Sequence, residues 1–294
     1  MIMTAVAILG GVGLVFALLI AFANKKLRVW EDPRIDVVAG MLPGANCGAC
    51  GVPGCRAFAE KLVTGETKPA GCNVANDGAR GEIAQYLGVD AGSATKVVAR
   101  LMCAGGAHVA SQQVRYQGYG TCAAAAVVAA GGKGCTWGCL GLADCVRACT
   151  FDAMAMNEDG LPVVDLAKCT ACGDCVDACP KNLLELHPVD RRLLVQCKNL
   201  IVGDDIVADC AVACTACGKC VMDAAPGLIS VASGVARIDY EKNDLADIRA
   251  ISRCPTGAIV WLNGAQFQPA APSGVASDDR RGARVAPQLI GSAP

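Results

Sequence analysis

Four thiols lie within eleven residues at Cys169-x2-Cys172-x2-Cys175-x3-Cys179, followed by Pro180, and no other stretch restricts the fold of this chain as tightly. A C-x2-C-x2-C loop wraps three corners of an iron–sulfur cubane, and the fourth Cys of such a run serves a second cluster. Zinc instead usually takes two separate C-x2-C knuckles. Because Cys179 then needs a partner run, Cys135-x3-Cys139-x5-Cys145-x3-Cys149 is read as that partner. The expected ligand sets are Cys169, Cys172, Cys175 and Cys149 for one [4Fe-4S] cluster, and Cys135, Cys139, Cys145 and Cys179 for the other. The upstream run is wider than usual and Thr150 follows Cys149 in place of Pro, so its cluster is expected to sit at a different potential.

Two more groups follow the same logic. Cys214, Cys217 and Cys220 form a third C-x2-C-x2-C loop, with Cys254-Pro255 as the distant fourth ligand. A second cluster in this half would need a Cys at Ala224 and others near Asn243, Ala246 and Arg249, so this half is read as having lost one. Near the N-terminus, Cys47-x2-Cys50-x4-Cys55-x16-Cys72 puts three thiols on a Gly-rich loop and one at a distance; zinc is the alternative there. About four clusters per chain are expected on this count. Cys103, Cys122, Cys197 and Cys210 stay outside the sets and are read as small buried apolar residues, Cys210 as spare or a competitor. His108 and His187 are read as structural or exposed.

Twenty cysteines could instead make ten disulfides in a secreted protein. Residues 2 to 23 argue otherwise: 22 residues without a charge suffice to cross a hydrocarbon core of about 30 Å. A cleaved signal peptide ending at Ala21-Phe22-Ala23 is the alternative, but no cationic segment precedes the apolar run and Lys25, Lys26 and Arg28 follow it. Those cations predict that the bulk of the chain lies on the cytoplasmic side, where metal ligation is favoured over disulfides. Gly13, Ala17 and Ala21 form a small-residue stripe that could seat the span against a partner helix. A net charge of −1 offers no field for nucleic acid.

The expected fold class is α+β: one transmembrane helix, a small mainly helical [4Fe-4S] domain, and ferredoxin-like domains with crossed cluster ligation. The expected boundaries are 1–24 for the span and 25–90 for the N-terminal cluster domain. They continue with 91–134 as a connecting region, 135–190 as a two-cluster ferredoxin-like domain, 191–264 as a degenerate one-cluster copy, and 265–294 as a disordered tail. Within 73–134, residues Glu82 to Arg100 read as a helix interrupted near Gly88 and Gly92.

The order of these parts, with ANCGACGVPGC at 45–55 and GCTWGCLGLADCVRAC at 134–149, resembles the B subunit of the Rnf complex over nearly the whole chain before the tail. The resemblance implies an electron-transfer subunit of a membrane complex that couples ferredoxin:NAD chemistry to ion movement. It also implies soluble ferredoxin as donor and the other subunits of such a complex as partners. The first cysteine group, with Phe58-Ala59 and Gly65, is similar to the iron–sulfur domain of a corrinoid protein of acetyl-CoA metabolism, which supports a cluster there. Longer members of the Rnf family carry a full second pair of ferredoxin runs. Gly92-Ser93-Ala94-Thr95 has the wrong order for flavin attachment.

No catalytic triad, Walker loop or strand-linked G-x-G-x-x-G is present, so the chain is expected to relay electrons while bond chemistry belongs to the assembled complex. Competing classes are a relay subunit of a hydrogenase or quinone oxidoreductase, and an iron–sulfur sensor or scaffold.

Overall fold

A computed structural model describes residues 2–27 and 31–267, so Arg28 and nearly all of the expected tail lie outside the described residues. The chain divides into two compact units between Thr95 and Lys96.

Helix α1 (Ile2–Leu27) carries no acidic residue in its first turn and ends on Lys25 and Lys26. At about 1.5 Å per residue it is ~39 Å long, more than the hydrocarbon core requires. Val6, Phe16 and Phe22 are each more than 60% exposed, so α1 is not the core helix of a soluble domain.

The rest of the first unit is helical. Helices α2 (Arg34–Met41), α3 (Cys55–Thr64) and α4 (Asp77–Leu87) enclose a core of Val38, Phe58, Ala59, Leu62 and Ile83. Phe58, Ala59 and Leu62 share one face of α3, the helical spacing that a single buried stripe requires. Helix α4 starts at Asn76, whose side chain accepts the Ala79 amide, and stops at Gly88, whose φ of +68° only glycine adopts freely. The helix expected to continue through Arg100 therefore ends at Leu87. The β-branched Val97-Val98 pair beyond it belongs to a strand, as branched side chains favour.

That strand, β1 (Val97–Leu101), opens the second unit. After it come α5 (Cys122–Ala126), α6 (Asp144–Ala148), β2 (Met154–Met156), β3 (Pro162–Val164), α7 (Asp174–Asp177) and β4 (Leu184–Pro188). β1 runs antiparallel to β4, with Val97 opposite Pro188 and Leu101 opposite Leu184, while β2 and β3 form a hairpin. The ferredoxin-like half thus begins at residue 97, inside the stretch expected as a connector. A second half repeats the plan with β5 (Leu193–Val195), α8 (Asp205–Asp209), α9 (Lys219–Asp223), β6 (Ile229–Ala232), β7 (Val235–Ile238) and β8 (Ile259–Trp261). β5 pairs with β8 and β6 with β7, all antiparallel.

The halves meet along β4. Glu185 accepts from His187 Nε2 at 3.1 Å and faces Lys198 Nζ at 2.6 Å, and the edge of buried His187 meets the Tyr240 ring at 5.1 Å between centroids. The His187 hydrogen bond, helped by Lys198, holds the Glu185 carboxyl down at about 2. Because Lys198 belongs to the second half, Glu185→Gln is expected to lower the denaturant midpoint at pH 7 by the equivalent of about 1 kcal/mol, the Lys198 arm being partly solvent-screened. An unchanged midpoint would show that the ion pair contributes nothing to the joint.

Candidate metal centres

In the first unit, Cys47 and Cys50 sit on the glycine-rich loop, Cys55 begins α3, and Cys72 follows the short 3-10 turn Pro69–Gly71. All four line one cavity with Leu42, Phe58 and Val74. Asn46 holds the loop shut by accepting the Cys55 amide at 2.8 Å. A Cβ on Gly54 would come within 3.0 Å of that side-chain oxygen, which is why a glycine stands there. Cys72 is fixed by Arg80, which donates to its carbonyl at 2.7 Å, and its sulfur receives the Ala75 amide at 3.4 Å. Burial pushes the Cys50 thiol up, and Cys72 and Cys47 act in the same direction.

In the second unit, Cys149, Cys169, Cys172 and Cys175 line one cavity, the set that the crossed logic anticipates. Cys214, Cys217, Cys220 and Cys254 line another. In the second half Leu228 and Ala250 are fully buried in an apolar cluster, with Ala224 and Ala246 packed against it.

The remaining cavity differs from expectation. Cys139, Cys145 and Cys179 line it as expected, but the fourth cysteine is Cys122, and Cys135 is not among its lining residues. Cys139 and Cys145 are six positions apart, the same separation as Cys169 and Cys175 or Cys214 and Cys220, so Cys139 opens the loop and Leu142 occupies the middle ligand position. The three loops share their backbone. Gly141, Ala171 and Ala216 have φ of +72°, +62° and +56°, and Ala143, Gly173 and Gly218, each preceding a short helix, have +64°, +98° and +75°. The fourth thiol lining this cavity is that of Cys122, the first residue of α5. Thr121 caps that helix by accepting the Ala124 amide at 3.2 Å. Ala123 donates to Asp144 of α6 at 3.0 Å, and Arg147 donates to the Gly120 carbonyl at 3.1 Å, so the inserted segment is tied to the loop it completes.

For Cys145, Cys175 and Cys220 the electrostatics follow the same grouping, whereas the foremost charged neighbour of Cys139 is Cys103. Burial first, and then Cys139, Cys122 and Cys179 among its neighbours, push the Cys145 thiol up to about 12. Cys175 reaches about 12 through burial and then Cys169, Cys172 and Cys149, and Cys220 about 11 through burial and then Cys214, Cys254 and Cys217.

The four cavities are alike in size, as sites for one common group should be. Their thiols stand around a space rather than converging on a point. Among the described residues no three potential ligand side chains come together as a single metal ion requires, and a lone zinc would need all its sulfurs within about 2.3 Å of it. A cubane, which puts its own body between the thiolates, fits this arrangement. A wider groove lined by Glu185, His187, Arg191, Lys198 and Tyr240 holds mixed charges and only Cys197 among the thiols, so it is no part of these sites.

Four-cysteine cavities on ferredoxin-like strands, in a chain that also carries an apolar helix long enough to cross a bilayer, define an iron–sulfur electron carrier associated with a membrane. Comparison with known proteins agrees. The FeS family model, for an Fe-S cluster, matches residues 42–74, and the Fer4 model, a 4Fe-4S binding domain, matches residues 162–185. The B subunit of the Na(+)-translocating ferredoxin:NAD(+) oxidoreductase complex of Acetobacterium woodii is 41% identical over 258 residues, 88% of this chain and 77% of that protein. The B subunit of the ion-translocating oxidoreductase complex of Methanosarcina acetivorans is 36% identical over 88% of this chain and 97% of its own length. The B subunit of the proton-translocating ferredoxin:NAD(+) oxidoreductase complex of Clostridium ljungdahlii is 34% identical over 84% and 88%. The chain belongs to the family of B subunits of the Rnf ion-translocating oxidoreductase complexes. It carries multiple [4Fe-4S] clusters and works as an electron relay within a redox enzyme complex.

Sequence reasoning did not bring Cys122 to this cavity. The signal was present in the six-residue separation of Cys139 and Cys145, which puts Leu142 where the regular loops carry a thiol.

Proposed function

We propose that the chain receives single electrons from soluble ferredoxin at its second unit and relays them through the cluster of the first unit to membrane-embedded partner subunits. The observation that carries this reading is the set of four cavities, each lined by four cysteines. The ligand sets are Cys47, Cys50, Cys55 and Cys72; Cys149, Cys169, Cys172 and Cys175; Cys122, Cys139, Cys145 and Cys179; and Cys214, Cys217, Cys220 and Cys254. When bound, a [4Fe-4S] cluster supplies one-electron storage at a potential set by charge, hydrogen bonds and exposure. The protein's part is to hold four thiolates and to aim amides at their sulfurs, as Leu183 does at Cys179 with 3.4 Å and Ala75 does at Cys72.

Two considerations support the direction. Cys47 follows Leu27, the end of α1, by only twenty positions, which keeps the first cluster near the bilayer. Lys25, Lys26 and Arg28 favour the cytoplasmic side for everything that follows, the compartment where a soluble ferredoxin is met. The relatives' names, ferredoxin:NAD(+) oxidoreductase, specify the same donor class. Cys50→Ala is expected to abolish ferredoxin-driven reduction of the partner subunits while the clusters of residues 97–261 still accept electrons. Reduction of the partners at the wild-type rate would rule out this route.

A further inference from the structure

Four of the twenty cysteines stand outside the cavities just described: Cys103, Cys135, Cys197 and Cys210. They come from four separate places in the sequence and meet in one. Cys135 and Cys210 are buried in one core cluster with Ile206 and Ala213, and Cys197 packs against it. Burial and then Cys103, Cys210 and Cys197 raise the Cys135 thiol to about 11, and Cys103 and Cys197 likewise act on Cys210. Gly105 closes the ring: a Cβ there would lie 3.1 Å from the Cys210 sulfur and 3.6 Å from the Cys103 sulfur. Only a glycine leaves that space open.

The four residues are two matched pairs. Cys103 follows the last residue of β1 by two positions, and Cys197 follows the last residue of β5 by two. Cys135 precedes Cys139 by four, and Cys210 precedes Cys214 by four. The hydrogen bonds match as well, since the Cys139 amide donates to the Cys103 sulfur at 3.4 Å and the Cys214 amide to the Cys197 sulfur at 3.4 Å. Each ferredoxin-like half therefore offers the same two thiols to the other across the joint, where Ala104 also donates to the Gln196 carbonyl at 3.1 Å.

We infer that Cys103, Cys135, Cys197 and Cys210 hold a fifth [4Fe-4S] cluster, shared between the two halves. This rests on the reading that the other four cavities hold such clusters. Twenty cysteines then divide into five sets of four with none left over. The polar surroundings fit an anionic group: Lys133 reaches in between the shared site and its neighbour, donating to the Gly105 carbonyl at 2.5 Å and the Cys139 carbonyl at 2.6 Å. The position also gives the site a task. The second half lacks one cluster of the usual pair, and the shared site links the two halves. Its thiolates accept hydrogen bonds from Cys139, a ligand of the first half's cluster, and from Cys214, a ligand of the second half's. With the clusters bound, these two amide–thiolate contacts would be the shortest protein links between the shared site and its neighbour on each side.

The test is the iron and acid-labile sulfide content of the full-length chain, purified and reconstituted anaerobically, compared with a Cys197→Ala/Cys210→Ala variant. Expected values are about 20 of each per wild-type chain and about 16 per variant chain, at four iron and four sulfide per cluster, with the paramagnetic resonance signals of the other clusters retained on reduction. A wild-type count near 16 overturns the inference whether or not the variant folds, as does a variant that matches wild type. One zinc per chain alongside about 16 iron overturns it in favour of a mononuclear site. A chain without sulfide would end this inference and the relay reading together, whereas a count near 16 leaves the relay standing.

Discussion

Cys122→Ala is expected to remove one cluster from the first ferredoxin-like half, lowering iron and sulfide by about four each per chain, and adding Leu142→Cys to that variant is expected to restore them. The first effect follows from the cavity lined by Cys122, Cys139, Cys145 and Cys179, which is left with three thiols. The second follows from the backbone: the loop from Cys139 to Cys145 keeps the left-handed residues at Gly141 and Ala143 that its two relatives keep at Ala171 and Gly173 and at Ala216 and Gly218. A Cys at 142 would therefore stand where Cys172 and Cys217 stand. Iron and sulfide counts with resonance spectra on the single and double variants decide the matter. A Cys122→Ala chain with its full complement would return the fourth place to another ligand, and failure of Leu142→Cys to rescue would mean that the loop alone does not set the ligand geometry.

Anaerobic removal of iron from the loaded protein is expected to unfold the second unit while leaving α1 in the membrane. Among the described residues the unit's four sheets have two strands each, of three to five residues, and such pairs are not stable alone in water. What surrounds them is a set of cavities whose walls are thiols: Cys145, Cys169 and Cys175 belong to the main core cluster of this unit, and Cys220 to the next. Emptied of their clusters, those walls lose the contacts that a packed interior needs, and the free energy of cluster binding is withdrawn from folding. Hydrogen exchange read by mass spectrometry should show protection lost across β1 to β8 after chelation. Strands that stay protected would show that the apolar residues hold the fold by themselves.

The regular C-x2-C-x2-C loops and the apolar helix are legible in the sequence because their information is local: spacing in one case, a run without charges in the other. So is the grouping of Cys149 with Cys169 around one cavity, since the crossed pattern is a property of the run itself. Cys122 is not legible in the same way, because its partner loop lies beyond Cys135 and a nearer cysteine offers itself. Strand β1 reads as helix, since Val97 to Leu101 gains its identity only by pairing with Leu184 to Pro188, more than 80 residues away. Cys103 and Cys197 carry no motif; each looks like an isolated small apolar residue until the strands that precede them are recognised as equivalent.

That equivalence also bears on descent. If the two halves arose by duplication, the ancestor was a single half carrying one Cys after its first strand and one four residues before its cluster loop. Paired with a copy of itself, it offered two pairs of equivalent thiols around one centre. Fusion of the copies made the pairs heritable as a unit. With such a shared centre, loss of an outer cluster from one copy would leave the other intact, whereas loss of a thiol at the joint would strand three partners at once.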